Sequence, residues 1–191
     1  ELGVLEVAIG GGEPLEHPEF WDFVRVLREH GVVANVTTRR IDLIPAWRVA
    51  QFGGIGFSAE TAAAFAEGLR SIDGPPDLDW HDNPWRARLV FHVVLGATPL
   101  EEVVRICELA RDERLPVLLL GWKDDGRGAS FRAHPHDDWV EVLRAAFTNS
   151  GGYWTGPRLG VDTPIVERWG AELQERLRVD PRLMVGGEGA F

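Results

Sequence analysis

The chain has 191 residues, 45% of them hydrophobic and 26% charged, a balance that suits one soluble globular domain with ample material for a core. Its formal net charge of -10, with both signs interspersed, argues against a nucleic-acid backbone as the main partner. No apolar run reaches the ~18 residues needed to span a bilayer, and a single cysteine, Cys107, excludes an internal disulfide framework and fits a reducing cytoplasm.

Leu5 to Ile9 predicts a short strand, and Pro18 to His30 a helix in which Phe20, Phe23, Val24 and Leu27 recur at helical spacing. Pro18 suits that helix's first turn and Gly31 its stop. Val32 to Thr37 is a β-branched strand, and Leu43 to Gln51 a short helix whose start Pro45 delays. Gly54 to Ser58 predicts the next strand, and Thr61 to Ile72 an alanine-rich helix.

Ser71 to Arg86, with its Gly-Pro-Pro and Asn-Pro steps, reads as a long loop. A buried strand spans Leu89 to Leu95. The following helix opens on a capping box, with Thr98 as N-cap, Pro99 in the first position and Glu101 three residues on. Its apolar face is Val103, Val104, Cys107 and Ala110. Pro116 to Trp122 is another buried strand, followed by a loop from Lys123 to His134 and a helix around Asp137 to Phe147. A strand at Leu159 to Val161, a helix from Pro164 to Arg178 and a last strand near Leu183 complete the pattern.

Strands separated by helices of this length imply βαβ crossovers, so the fold class is α/β with mainly parallel strands in one domain over 1–191. Ligands then belong in the loops at the carboxyl ends of the strands. Gly10 to Pro14, Thr37-Thr38, Ser58-Ala59-Glu60 and Gly121 to Gly128 all fall at such ends. The chain opens inside a strand-like run, and its only methionine is Met184. It is therefore expected to be a piece of a longer protein, cut at both ends.

The run Gly10-Gly11-Gly12-Glu13-Pro14 is the most informative of these. Three glycines strip side chains from a strand-to-helix turn, so a ligand can approach the backbone closely. Bare backbone beside one carboxylate suits a ligand carrying an ammonium group. A tight turn whose glycines serve packing alone is the other reading.

The order of the motifs matters more than any one of them. Gly11-Gly12-Glu13-Pro14-Leu15, then His17-Pro18-Glu19-Phe20 opening a helix, then Val36-Thr37-Thr38 and Gly56-Phe57-Ser58-Ala59-Glu60 ending strands, resembles the radical S-adenosylmethionine superfamily over roughly residues 2 to 125. The resemblance implies a partial (βα) barrel of TIM type whose first strand lies upstream. It implies a 4Fe-4S cluster that binds S-adenosylmethionine and cleaves it reductively to a 5′-deoxyadenosyl radical. That radical abstracts hydrogen from a substrate, a small molecule or a peptide, with electrons from a reductase or ferredoxin. Carried over residue by residue, Gly11, Gly12 and Glu13 hold the methionyl amino group with Pro14 fixing the turn, Thr38 borders the cofactor, and Ser58 and Glu60 lie near the ribose. Backbone of Phe91 to Leu95 and Leu118 to Gly121 flanks adenine.

Two departures stand out. The family's cluster ligands are three cysteines spaced CxxxCxxC upstream of the Gly-Gly-Glu strand; that loop is not here, and Cys107, mid-helix on an apolar face, reads as a small buried hydrophobe. Where the family often continues Thr-Asn-Gly, this chain has Thr38-Arg39-Arg40, and Arg39 either faces an acidic group or is solvated.

Lys123 is the chain's one lysine. With Arg127 it sits in a glycine-rich loop at the expected rim, either closing over substrate or simply solvated. Asp162 reads first as a helix N-cap and second as a pocket residue that would touch substrate. His134, His136, Asp137 and Asp138 suit capping better than metal, and His92 suits the core. Two further readings stay open. One is a degenerate, non-catalytic barrel module that binds a small ligand or partner; the other is an unrelated enzyme holding a divalent metal at Asp79 and Asp82.

Overall fold

The computed structural model describes residues 3–72, 83–122 and 137–177. Six strands form one sheet in chain order: β1 (Glu6–Ile9), β2 (Val33–Thr38), β3 (Phe52–Ser58), β4 (Leu89–Val94), β5 (Val117–Leu120) and β6 (Leu159–Val161). The β1–β2, β2–β3 and β5–β6 ladders are parallel. The helices are α1 (Phe20–Glu29), α2 (Ala62–Ile72), α3 (Leu100–Asp112), α4 (Trp139–Phe147) and α5 (Thr163–Leu177). The order never reverses and β6 does not return to β1, so the sheet is an open, partial barrel of the α/β class. Burial alternates along the strands. Ala34, Val36 and Thr38 of β2 are buried while Val33, Asn35 and Thr37 are not, and Leu89, Phe91 and Val93 of β4 are buried while Val90, His92 and Val94 are half-exposed.

Contacts divide the chain into two compact units, one of residues up to Ala59 with Ala63–Phe91, the other of Glu60–Ala62 with residues from His92 onward. In the first, Phe57, Phe65 and Phe91 pack edge-on and tilted with centroids 4.2 to 6.2 Å apart. Phe20, Trp21 and Phe52 form a second aromatic group. In the other unit Ile106, Cys107, Ala110, Leu119, Trp139, Leu143, Phe147 and Ile165 are all fully buried.

Three expectations are corrected. The capping box on α3 does not form as read: Pro99 occupies the cap position, and buried Thr98 bridges to Leu95. Glu102, not Glu101, carries the useful carboxylate, and it caps a different helix by accepting from Ala62 N at 3.0 Å. Second, Phe23 is 46% exposed and Val26 41%, so the buried stripe of α1 is Phe20 and Val24 alone. Third, Leu43 to Gln51 is not an α-helix but two 3₁₀ turns, Ile41–Leu43 and Ala46–Gln51. Pro45, extended at ψ 138°, separates them. The loop from Lys123 to His134 and the strand near Leu183 lie outside the described residues.

Candidate functional site

β1 is followed at once by Gly11 and Gly12, with φ +83° and +63°. Only glycine adopts two successive left-handed conformations without strain, which is why these residue types stand here. Gly10, Gly11 and Gly12 are exposed, and a Cβ placed on Gly10 or Gly11 would meet nothing within 4 Å. Packing therefore does not call for glycine at either position. The turn leaves backbone facing open space.

Glu13 follows, half-buried, as the cap of the 3₁₀ turn Pro14–Glu16. Its Oε1 accepts from Leu15 N at 3.3 Å and from the Thr38 hydroxyl at 2.7 Å, and its Oε2 accepts from Arg39 N at 2.9 Å. Thr38 is 2% exposed, and its Oγ1 in turn accepts from Arg40 N at 2.8 Å. With that lone pair taken, the hydroxyl proton is directed at Glu13. A carboxylate has about four acceptor directions, and three are filled by protein, leaving one on Oε2.

The backbone amide of Arg39 meets an acidic group, the Glu13 carboxylate. That contact depends on where β2 ends, which side-chain chemistry does not encode. Pro14 is buried in the first position of the 3₁₀ turn. Thr38 pairs with Phe57 in the β2–β3 ladder, so Ser58 is the next residue along at the same rim, half-buried. Glu60 is exposed two residues beyond β3.

Asp162 is an N-cap. Its Oδ1 accepts from Ile165 N at 3.2 Å in the first turn of α5 and from Gly121 N at 2.9 Å after β5. Lys123 and Arg127 lie outside the described residues, as do His134, His136, Asp79, His81 and Asp82. His92 is half-exposed in β4, and burial of its ring depresses its pKa, so the neutral imidazole is favoured. Among the described residues no group of three or more His, Cys, Asp or Glu converges as a metal site. Cys107 is fully buried, and burial pushes its thiol up to about 12. Such a thiol is neither a nucleophile nor a cluster ligand, so the cysteine set a 4Fe-4S cluster needs does not fit this chain's own residues. Among the described residues no helix is long and apolar enough to cross a membrane.

No family model matches the chain, and no curated protein matches it. Solved structures do. Streptococcus suis SuiB aligns with a TM-score of 0.51 over 74% of this chain and 34% of its own, at 16% identity. SuiB bound to S-adenosylmethionine aligns at 0.54 over 86% and 40%, at 10% identity, and SuiB bound to precursor peptide SuiA at 0.54 over 87% and 40%, also at 10%. At these identities the likeness is one of fold. The chain spans between a third and two fifths of the SuiB chain.

Proposed function

We propose that this chain is the S-adenosylmethionine-binding part of a radical S-adenosylmethionine enzyme, with the turn from Gly11 to Glu13 as the clamp for the methionyl ammonium. The observation that carries the reading is the pairing of two left-handed, open glycines with a carboxylate whose orientation is locked by Thr38 and Arg39. An ammonium needs a fixed anion and nearby carbonyls, and this turn offers both. The order of motifs along the chain and the fold shared with S-adenosylmethionine-bound SuiB support it.

Bound S-adenosylmethionine supplies a carbon–sulfur bond that one-electron reduction cleaves to a radical. This chain's part is to bind and orient it. Glu13 takes the ammonium, Gly11 and Gly12 let it approach the backbone, Pro14 and Thr38 hold the clamp, and Ser58 and Glu60 at the neighbouring strand end lie toward the ribose. A 4Fe-4S cluster would be bound by residues outside this chain, with a reductase or ferredoxin as electron donor in the cytoplasm. Of the two substrate classes, a peptide is favoured by the likeness to SuiB bound to its precursor peptide. Lys123, Arg127 and Asp162 remain candidates for contact with that substrate.

A second reading has its own support. Three of the four acceptor directions of Glu13 are taken by the protein, as in a purely structural clip on a non-catalytic module. The two separate on one titration. In the first reading the chain binds S-adenosylmethionine, and Glu13→Gln weakens that binding by at least about tenfold while urea unfolding shows the fold retained. Wild-type affinity in the folded variant, or no binding by wild type, would sink the clamp.

A further inference from the structure

We propose that a cleft between α1 and the Ala46–Gln51 turn is a second binding site, one for a small molecule carrying a phosphate or carboxylate group. It shares no residue with the Glu13 clamp. The cleft encloses about 400 Å³ and is lined by Trp21, Arg25, Arg28, Arg48 and Gln51, together with the acidic residues Asp22 and Glu29. That volume lies within the ~300–1,000 Å³ of small-molecule sites.

The charges in the cleft are unequally matched. Arg25 is held by Glu29 at 2.7 Å and by Asp22 at 3.7 Å, which uses both carboxylates of the lining. Arg28 and Arg48 have no carboxylate partner among the described residues. Three arginines against two carboxylates leave the cleft net positive on a protein whose formal charge is -10. An acidic protein repels anions at long range, so a local excess of arginine has to attract them by direct contact.

Arg48 is also held in place. Its guanidinium carbon lies 4.1 Å from the Trp21 ring centroid and 4.5 Å from that of Trp47. These cation–π contacts fix the head through its charge and leave its N–H donors for another acceptor. Trp21 is itself anchored, 5.0 Å from Phe20 and 5.9 Å from Phe52. Trp47, by contrast, is 69% exposed. A planar fork of donors, immobilised before the ligand arrives, matches the paired oxygens of a carboxylate or phosphate and loses little entropy on binding. Arg28 adds charge on the same wall, and Gln51 adds an uncharged donor and acceptor.

Calorimetric titration with pyrophosphate and, separately, with citrate tests the site, and tryptophan fluorescence reports on the indoles beside Arg48. The expected result is saturable binding of at least one probe that weakens as salt is added. Pyrophosphate alone would assign a phosphate ligand, and citrate alone a carboxylate. Arg48→Gln should weaken binding at least about tenfold, with Arg48→Lys recovering only part because the fork is lost. Arg28→Gln, which breaks no ion pair among the described residues, should weaken it several-fold with circular dichroism unchanged. The proposal is overturned if neither probe binds saturably, or if binding survives both glutamine substitutions.

Discussion

Glu13 and Asp162 occupy matching places in their own units. Each stands just after a strand, caps the turn or helix that follows, and accepts a backbone N–H from the end of the neighbouring strand. The glycines beside them separate the two. A Cβ on Gly121 would lie 2.8 Å from Pro164 Cβ and 3.4 Å from Ile165 Cγ1, so that glycine exists because α5 packs onto it. Gly11 has a left-handed backbone with nothing within 4 Å of its missing side chain. The same carboxylate clip thus closes a packed junction at one place and borders open backbone at the other. Sharing the clip shows that it is a device of the fold; the open glycines are what point to a ligand at Glu13.

Exchanging the glycines should break the comparison most sharply. Gly121→Ala forces the rigid Pro164 ring to move, and we expect a loss of about 1–3 kcal/mol in urea unfolding. Gly11→Asn, whose side chain tolerates the left-handed region, should cost well under about 1 kcal/mol yet still impair S-adenosylmethionine binding by crowding the open face. Equal stability losses would mean that both glycines serve packing.

Removing the clip at the packed junction comes next. Asp162→Ala leaves Ile165 N and Gly121 N without their acceptor, for an expected loss of about 1–2 kcal/mol. Asp162→Asn, which keeps an acceptor oxygen, should recover most of it. A full loss in the asparagine variant would show that charge, not hydrogen bonding, holds the junction.

The smallest effect concerns a third carboxylate, Glu102. Its amide partner Ala62 N, and secondarily Arg105, hold its pKa below the usual carboxylate value. A depressed folded pKa contributes stability above the unfolded value of about 4.5, and this is lost as pH falls through the folded pKa. Glu102→Gln should therefore lower stability slightly near neutrality, where the carboxylate's contribution is fully present, leave it unchanged below the folded pKa, and so flatten stability against pH on the acid side. An unaltered acid limb would remove Glu102 as a titrating cap.

Much of the fold was legible in the chain. The run at Leu159 to Val161 forms the β6 strand, and the alanine-rich run from Thr61 matches α2 to within a residue. Both signals are local, since strand and helix differ in side-chain period and a glycine or proline ends each. The misreadings share a cause. Phe23 has helical spacing, but whether an apolar residue is covered depends on what packs there, and here it stays exposed. Thr98 has the chemistry of a cap, yet it pairs instead with Leu95, outside the helix it was read to cap.

The candidate site divides in the same way. Gly11, Gly12 and Glu13 are adjacent in the chain, so bare backbone next to a carboxylate was readable from the string of letters alone, while the left-handed conformation of both glycines is a finding of the structure. The parallel order of strands followed from the lengths of the segments between them. Only the tertiary structure brought Thr38 and the Arg39 amide, 25 and 26 residues away, onto the Glu13 carboxylate, and only it gathered Arg28 and Arg48 in one cleft with no carboxylate partner among the described residues. Side-chain period and backbone conformation are properties of near neighbours. Which donor meets which acceptor across strands depends on register, and register is decided by the packing of the whole sheet.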